Sequence, residues 1–305
     1  MPELTCSAIH TIDRDTGQDV RQRFLFEDYD VRGEIISLRD TVAEVCARGA
    51  YALPLRIQLG EFLAAAGLIS ANLKSTGSVT VQARGDGPVP LLMADCTDRR
   101  WLRAIARPRD PTAEFGGDLR TLAGQGHLSV TVALPNRQRH QGIAPLDHPS
   151  LAACLSEYFC RSEQLPTRLW LAADGDAAAG LLLQALPAQR RTTPAARAQT
   201  WEHLTALADT LTPAEQLQLR HEDILHRLFH QERVRLFDPV PVGFGCSCSP
   251  ARIGSAVVAL GADTLAELFA ATPVVETQCQ FCLKSYCFTP EQLSAQTLSG
   301  GASLH

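Results

Sequence analysis

Four cysteines near the C-terminus constrain this chain more than any other feature. Cys246-Ser247-Cys248 and Cys279-Gln280-Phe281-Cys282 form a C-x-C and a C-x-x-C pair, separated by the 30 residues 249–278. Two short turns carrying two thiolates each can surround one Zn²⁺ tetrahedrally. The segment between them reads as a folded insert. Ser249-Pro250 starts a helix bearing Ile253, Val257 and Leu260 and stopped by Gly261, and Thr264-Leu265-Ala266-Glu267 reads as a capping box for a second helix. Val274, Val275 and Thr277 bring the chain back as a strand. A unit of about 60 residues is marginal without such a staple.

The spacing leaves several readings open. A purely structural zinc site is the default use of such a module. A thioredoxin-like C-x-x-C belongs instead to a βα context, and here the motif is C-terminal with a second pair beside it. A nucleic-acid-binding zinc ribbon calls for a basic cluster, but Lys+Arg is 28 against Asp+Glu 33, a net charge of −5. A fourth reading is a redox centre. Zinc keeps cysteines as thiolates, which are the species oxidants attack, and oxidation removes both the metal and the folding energy it supplies. Across an extended C-x-C the Cα atoms lie ~6.6 Å apart, near the upper limit of about 6.8 Å for a disulfide, so a 246–248 bond needs local rearrangement. Cys287 reads as a buried strand cysteine, with an alternative ligand or a resolving thiol as the other readings, and Cys46, Cys96 and Cys154 as small core residues. His221, His226 and His230 read as solvated or cap-proximal.

The rest of the chain is long enough to bury a core of its own, with 45% hydrophobic and 20% charged residues. Ser37 reads as the cap of a helix through Leu38, Val42, Val45 and Cys46, and Pro54 opens a longer apolar helix reaching Leu73. The period then changes to two at Val79, Val81 and Ala83, followed by a tight turn at Gly85-Asp86-Gly87-Pro88. Strands are expected at 91–96, 101–107, 128–134, 168–172 and 180–186, with a helix over 150–163. This mixture, without regular β-α alternation, predicts an α+β fold.

Near residue 187 the composition turns polar and proline-rich. Beyond it Trp201, Leu204, Leu207, Ala208 and Leu211 share one face, Thr212-Pro213-Ala214-Glu215 is a capping box, and Ile224, Leu225, Leu228 and Phe229 follow. That apolar face needs a neighbour. No apolar run reaches the length of a membrane span, and the N-terminus runs into Asp13-Arg14-Asp15 with no secretory h-region, so a cytoplasmic protein with neither membrane nor nucleic acid as partner is expected. No G-x-x-x-x-G-K-[ST], G-x-S-x-G or H-E-x-x-H stands in a convincing context, so no catalytic residues are assigned and a non-enzyme is expected.

These residues resemble one family, the redox-regulated 33-kDa heat-shock chaperones of bacteria. Phe24-Leu25-Phe26-Glu27-Asp28-Tyr29-Asp30-Val31-Arg32-Gly33-Glu34 is similar to its N-terminal signature. Gly85-Asp86-Gly87-Pro88 is similar to its glycine-rich turn, and Tyr158-Phe159-Cys160-Arg161-Ser162-Glu163-Gln164-Leu165-Pro166-Thr167-Arg168 to its central segment. Segments 180–189 and 225–239 and the cysteine pairs complete the series in order, over roughly residues 22–290.

The resemblance implies an α+β core domain over 1–190 (with 1–21 a flexible extension), a metastable helical linker over 191–238 and a zinc-binding redox-switch domain over 239–305. It implies Cys246, Cys248, Cys279 and Cys282 as ligands of one Zn²⁺ in the reduced state, and disulfides Cys246–Cys248 and Cys279–Cys282 after oxidation. It further implies zinc release, linker unfolding, ATP-independent holding of unfolded client proteins and a homodimer when oxidised. Trp201, Leu204, Leu207, Leu211, Leu225, Leu228 and Phe229 are then the expected client-binding residues. The alanine-rich insert and the extra thiol Cys287 depart from the family's pattern and bear on oxidant sensitivity. The rival readings are a thiol–disulfide oxidoreductase using Cys279 and Cys282, and a constitutive zinc-stabilised chaperone or adaptor.

Overall fold

The computed structural model describes residues 19–293, apart from 74, 136, 163, 164 and 189–192. The chain opens with a hairpin of β1 (Val20–Phe26) and β2 (Val31–Leu38), then α1 (Asp40–Ala47) and α2 (Leu53–Ser70). A meander of β3 (Ser78–Gly85), β4 (Leu91–Thr97) and β5 (Trp101–Arg107) leads through α3 (Leu119–Ala123) to β6 (Gly126–Ala133), β7 (His140–Pro145) and α4 (Leu151–Ser162). The pair β8 (Thr167–Ala173) and β9 (Ala178–Ala185) then returns to β2. Helices α5 (Pro194–Ala208), α6 (Pro213–Gln218) and α7 (His221–Phe229) follow. Next come three short strands, β10 (Val234–Leu236), β11 (Val240–Pro241) and β12 (Gly243–Phe244). The C-terminal unit holds α8 (Pro250–Val258), α9 (Ala262–Ala271), β13 (Val275–Gln278) and β14 (Ser285–Phe288). The expected α+β class is observed, with the four cysteines in that last unit.

Two sheets share helix α2. One runs β10-β1-β2-β9-β8, with β11 also on β1; the other runs β12-β5-β4-β3-β6-β7. From Phe62 to Ser70 every residue of α2 is buried, because a sheet lies on either side of it. Gly60 and Gly67 permit this approach: a Cβ at Gly60 would meet that of Ala173 at 2.9 Å, and one at Gly67 would meet Ile36 at 2.5 Å. The first sheet is covered on its other face too. All of β9 is buried, with Leu182 in the α2 core and Leu181 and Leu183 turned the other way. Covering the second face are Leu204, Ala208, Leu211, Ile224, Leu225, Leu228 and Phe229 from α5 to α7, packed on Phe24, Phe26, Val31 and Ile35. The neighbour that the apolar helices needed is therefore the back of the core sheet.

Several local expectations are corrected. Ser37 does not cap α1; it lies within β2, and the Asp19 carboxylate accepts the backbone N–H groups of Arg39, Asp40 and Thr41 at 2.5, 3.0 and 2.7 Å. Within the expected 1–21 extension, residues 1–18 lie outside the described residues, whereas Asp19 is 2% exposed and Val20 and Arg21 belong to β1. Thr264 is not a cap, since α9 already starts at Ala262 after Gly261 in the left-handed region (φ +95°). Leu73 falls beyond α2, which ends at Ser70. Strand β7 was not anticipated, because its glycine and proline hide an edge strand. The Thr212–Glu215 capping box is present as expected, with both reciprocal hydrogen bonds.

Candidate metal centre

The segment after α7 carries the chain from the first sheet to the second. Leu236, Arg235 and Val234 pair with Phe24, Leu25 and Phe26, Val240 and Pro241 pair with β1, and Gly243 and Phe244 pair in parallel with Trp101 and Leu102. The Gly245 N–H donates to the Leu102 carbonyl at 3.0 Å. A Cβ at Gly245 would meet that of Trp101 at 2.8 Å, so only glycine lets the backbone pass this close. Cys246 is the next residue. The first thiol of the cluster is thus fixed directly to the edge of the core.

The second pair sits on a turn between β13 and β14. The Cys279 N–H donates to the Lys284 carbonyl at 2.9 Å, and the Cys279 carbonyl accepts from the Leu283 N–H at 2.8 Å. Leu283 has φ +59°, a conformation that disfavours a bulky side chain and that the turn imposes.

The four Sγ atoms lie within 4.8 Å of one another, with Cys246–Cys279 at 3.6 Å and Cys248–Cys282 at 3.4 Å. Four sulfurs each about 2.3 Å from a shared Zn²⁺ would lie about 3.8 Å apart. Backbone N–H groups also point at the sulfurs, that of Cys248 at Cys246 and those of Phe281 and Cys282 at Cys279. The donor set, spacing and supporting hydrogen bonds fit a tetrahedral thiolate-bound metal.

Each member of the C-x-C pair receives a further donor. The Tyr286 hydroxyl donates to Cys248 Sγ at 3.0 Å from within the C-terminal unit. Arg103, on β5 of the core, donates from Nη1 to Cys246 Sγ at 3.4 Å, and its guanidinium lies 4.1 Å from the Phe281 ring centroid. Burial pushes the Cys246 thiol up, but Arg103 and the Cys248 N–H outweigh it and bring it down to about 7. Cys279 and Cys282 are raised, chiefly by burial. Cys287 is in a strand as expected but exposed, because Tyr286 and Phe288 take the inward positions of β14. Cys96 and Cys154 are core residues, while Cys46 is only half-buried.

The structure brings the four cysteines together and keeps them apart from the apolar residues of α5 to α7. Of those, Leu204, Leu211, Leu225, Leu228 and Phe229 are buried against the sheet, and Trp201 and Leu207 are partly covered. His226 and His230 are exposed, with His230 at the C-cap of α7, and His221 is next to the N-cap, but it is not solvated. It is 5% exposed, with Nδ1 2.7 Å from Gln22 Oε1 and Nε2 2.9 Å from Ser37 Oγ. No local sequence signal marks Arg103 or Tyr286 as a partner of the cysteines. Period-two alternation marks both as strand residues, but only strand register places them beside a cysteine.

Comparison with known proteins gives the family. Residues 19–289 match the family described as Hsp33 protein. The 33 kDa chaperonin of Azotobacter vinelandii is 50% identical over 286 residues, 93% of this chain and 96% of the relative. That of Pseudomonas paraeruginosa is 48% identical with the same coverage. The crystal structure of the 33 kDa chaperonin (heat shock protein 33 homolog) of Thermotoga maritima has a TM-score of 0.76 at 21% identity, covering 92% of this chain and 98% of that one, which speaks to the fold. Among the described residues no single helix is long and apolar enough to cross a membrane. With relatives this similar over nearly their whole length, the chain belongs to the Hsp33 family.

Proposed function

We infer that this protein is an ATP-independent holdase, switched on by oxidation of a Cys246, Cys248, Cys279, Cys282 zinc centre and acting on unfolded proteins in the cytoplasm. Family membership supports the chaperone role. One observation carries the switch: the cysteine cluster closes at the end of the same segment that follows α7 and straps it to the core. Zinc, when bound, keeps four sulfurs as thiolates and cross-links a unit too small to hold itself together.

Sulfur pairs meet across the two turns, 246 with 279 and 248 with 282. Disulfides between chain neighbours, Cys246–Cys248 and Cys279–Cys282, form within sets of sulfurs that already lie within 4.8 Å of one another. In each, two thiolates give two electrons to one peroxide and two protons are taken up; an S–S bond forms, the O–O bond breaks, and two waters leave. The sulfurs then no longer offer the anionic lone pairs a metal needs, and the C-terminal unit loses its staple. Strand β12 is two residues long; with its anchor loosened, the strap back to α7 weakens. Residues 191–238 act as the releasable linker, and Trp201, Leu204, Leu207, Leu211, Leu225, Leu228 and Phe229 become the client-binding face. The oxidised protein dimerises.

The test is light scattering from a thermally unfolding client, with zinc release followed in the same sample. The reduced, zinc-loaded protein should leave scattering unchanged, and protein treated with peroxide under mild heat should suppress it after losing one equivalent of zinc. Suppression by both forms would mean a constitutive chaperone. Turnover of a dithiol substrate without suppression would favour an oxidoreductase.

A further inference from the structure

Arg103 is an unusual residue to find beside a metal ligand, because it belongs to the core and not to the unit that carries the cysteines. Its side chain is 12% exposed and that of its partner Asp95 is 7% exposed. The two form a forked ion pair on neighbouring strands, Nε to Oδ2 at 3.0 Å and Nη2 to Oδ2 at 2.6 Å. Asp95 is fixed in turn by the Thr80 hydroxyl, which donates to Oδ1 at 2.5 Å. Three adjacent strands thereby aim one guanidinium. Its remaining terminal nitrogen donates to Cys246 Sγ, and its plane lies against Phe281, which sits between the second pair of cysteines.

We propose that Arg103 is a positioning residue of the four-cysteine centre, through which the core sheet holds the C-terminal unit only while Cys246 is a thiolate. This rests on the metal-centre reading above. Four thiolates around one divalent cation carry a net charge of −2. A fixed cation against one sulfur offsets part of it in a partly buried site and adds a charge-assisted hydrogen bond. Once Cys246 is neutral in a disulfide, the acceptor is lost, and Arg103 stays satisfied by Asp95 alone. The contact is thus conditional on the state of the sulfur, whereas the Tyr286 hydrogen bond to Cys248 lies within the C-terminal unit and moves with it. Arg103 does for docking what the β12 pairing does for chain path, but with a charge dependence that backbone hydrogen bonds lack.

The experiment uses the full chain loaded with Co²⁺ under reducing conditions, comparing the unsubstituted protein with Arg103→Met, Arg103→Lys and Asp95→Asn. Two readouts are taken: the thiolate-to-cobalt charge-transfer band, and the rate of metal transfer to a chelator. A hydrogen bond to sulfur lowers the energy of its lone pairs, so losing it moves the band to longer wavelength. Arg103→Met should keep one tetrahedral cobalt, shift the band in that direction and release metal about tenfold faster, the scale typical of residues supporting a ligand. Arg103→Lys should recover part of the rate, because it restores a cation without the fork. Asp95→Asn, which keeps the side-chain shape, should move both readouts in the same direction by less and stands in if Arg103→Met fails to fold. An unchanged band and rate in the variants, with normal cobalt binding by the unsubstituted protein, would overturn the role of Arg103. Absence of a tetrahedral cobalt spectrum in the unsubstituted protein would overturn the metal-centre reading, and this inference with it.

Discussion

The core and the C-terminal unit are held together by different means. Around α2, two six-stranded sheets bury an extensive apolar cluster. Among the described residues of the C-terminal unit, the buried apolar ones are Val257, Tyr286, Phe288 and Leu293 beside Cys279 itself, over a sheet of two four-residue strands. A core that small does not outweigh the entropy of ordering its chain. The lesson is one of division: the first region is stable by packing, and on the proposed reading the second is stable on condition that its cysteines hold zinc. Between them, α5 to α7 borrow the back of a core sheet and are tied down at their C-terminal end by the strap that leads to Cys246.

The sharpest way to break this comparison is to take away the condition. Replacing Cys279 and Cys282 with serine, or stripping metal with a chelator under reducing conditions, should abolish hydrogen-exchange protection in β13 and β14 while leaving α2 protected. The scale is set by structural zinc sites, whose binding supplies about 10 kcal/mol or more of folding free energy in isolated modules. Retained tight, stoichiometric zinc in the double variant would show that the ligands are misassigned.

Next come matched deletions on the two faces of one sheet. Phe62 lies in the α2 core, and Phe229 lies on the other face, 5.0 Å from the Phe26 centroid in an edge-to-face pair. Each change to alanine should cost about 3–5 kcal/mol. For Phe62→Ala the loss should appear in the global denaturation midpoint. For Phe229→Ala it should appear as faster exchange confined to α5, α6 and α7. Equal global destabilisation by both would mean that the helices are part of one cooperative core.

A smaller effect comes through pH. Burial holds the His221 imidazole down to about 4. Gln22 donates through Nε2 to the Phe237 carbonyl at 3.1 Å, which leaves its Oε1 to accept from His221 Nδ1. The charged residues lining the adjoining cavity are Arg39, Arg220 and Glu222, with Arg220 and Glu222 paired to each other. Because the docked value lies below that of a free imidazole, about 6.5, the docked helices bind fewer protons than the released ones. Docking is therefore at full strength above about pH 6.5 and weakens by up to ~3 kcal/mol as pH falls toward 4. Exchange of α7 amides across that range should report it, and His221→Gln should flatten the dependence. The smallest expected change is Thr212→Ala, which removes the capping box of α6 and should cost about 1 kcal/mol, read as a shift in the unfolding midpoint of α5 to α7.

Signals that act locally were legible in the sequence. The cysteine pairs, the Ser249 and Thr212 caps, the proline-initiated α2 and the alternating strands around the glycine turn all stand where the pattern places them. What was hidden depends on residues far apart in the chain. The cap of α1 comes from Asp19, some twenty residues before the helix, so a nearby serine was the natural but wrong choice. His221 looked solvated because its helix is short and charged; its burial is imposed by Gln22 and Ser37, on the two strands of the hairpin. Nothing in the strand pattern singles out Arg103 and Asp95, and only their register reveals a pair directed at Cys246.

The burial of β9 on both faces has a consequence for selectivity. Releasing α5 to α7 would uncover two complementary surfaces at once, the helices and the sheet face bearing Phe24, Phe26, Ile35, Leu181 and Leu183. On the proposed reading a client competes with a tethered rival that never diffuses away and returns at an effective concentration in the millimolar range. Short or isolated apolar side chains on a folded protein would lose that contest, and long exposed segments of an unfolded one would win it. The same sheet face would then act as both lock and threshold, setting how unfolded a protein must be before it is held.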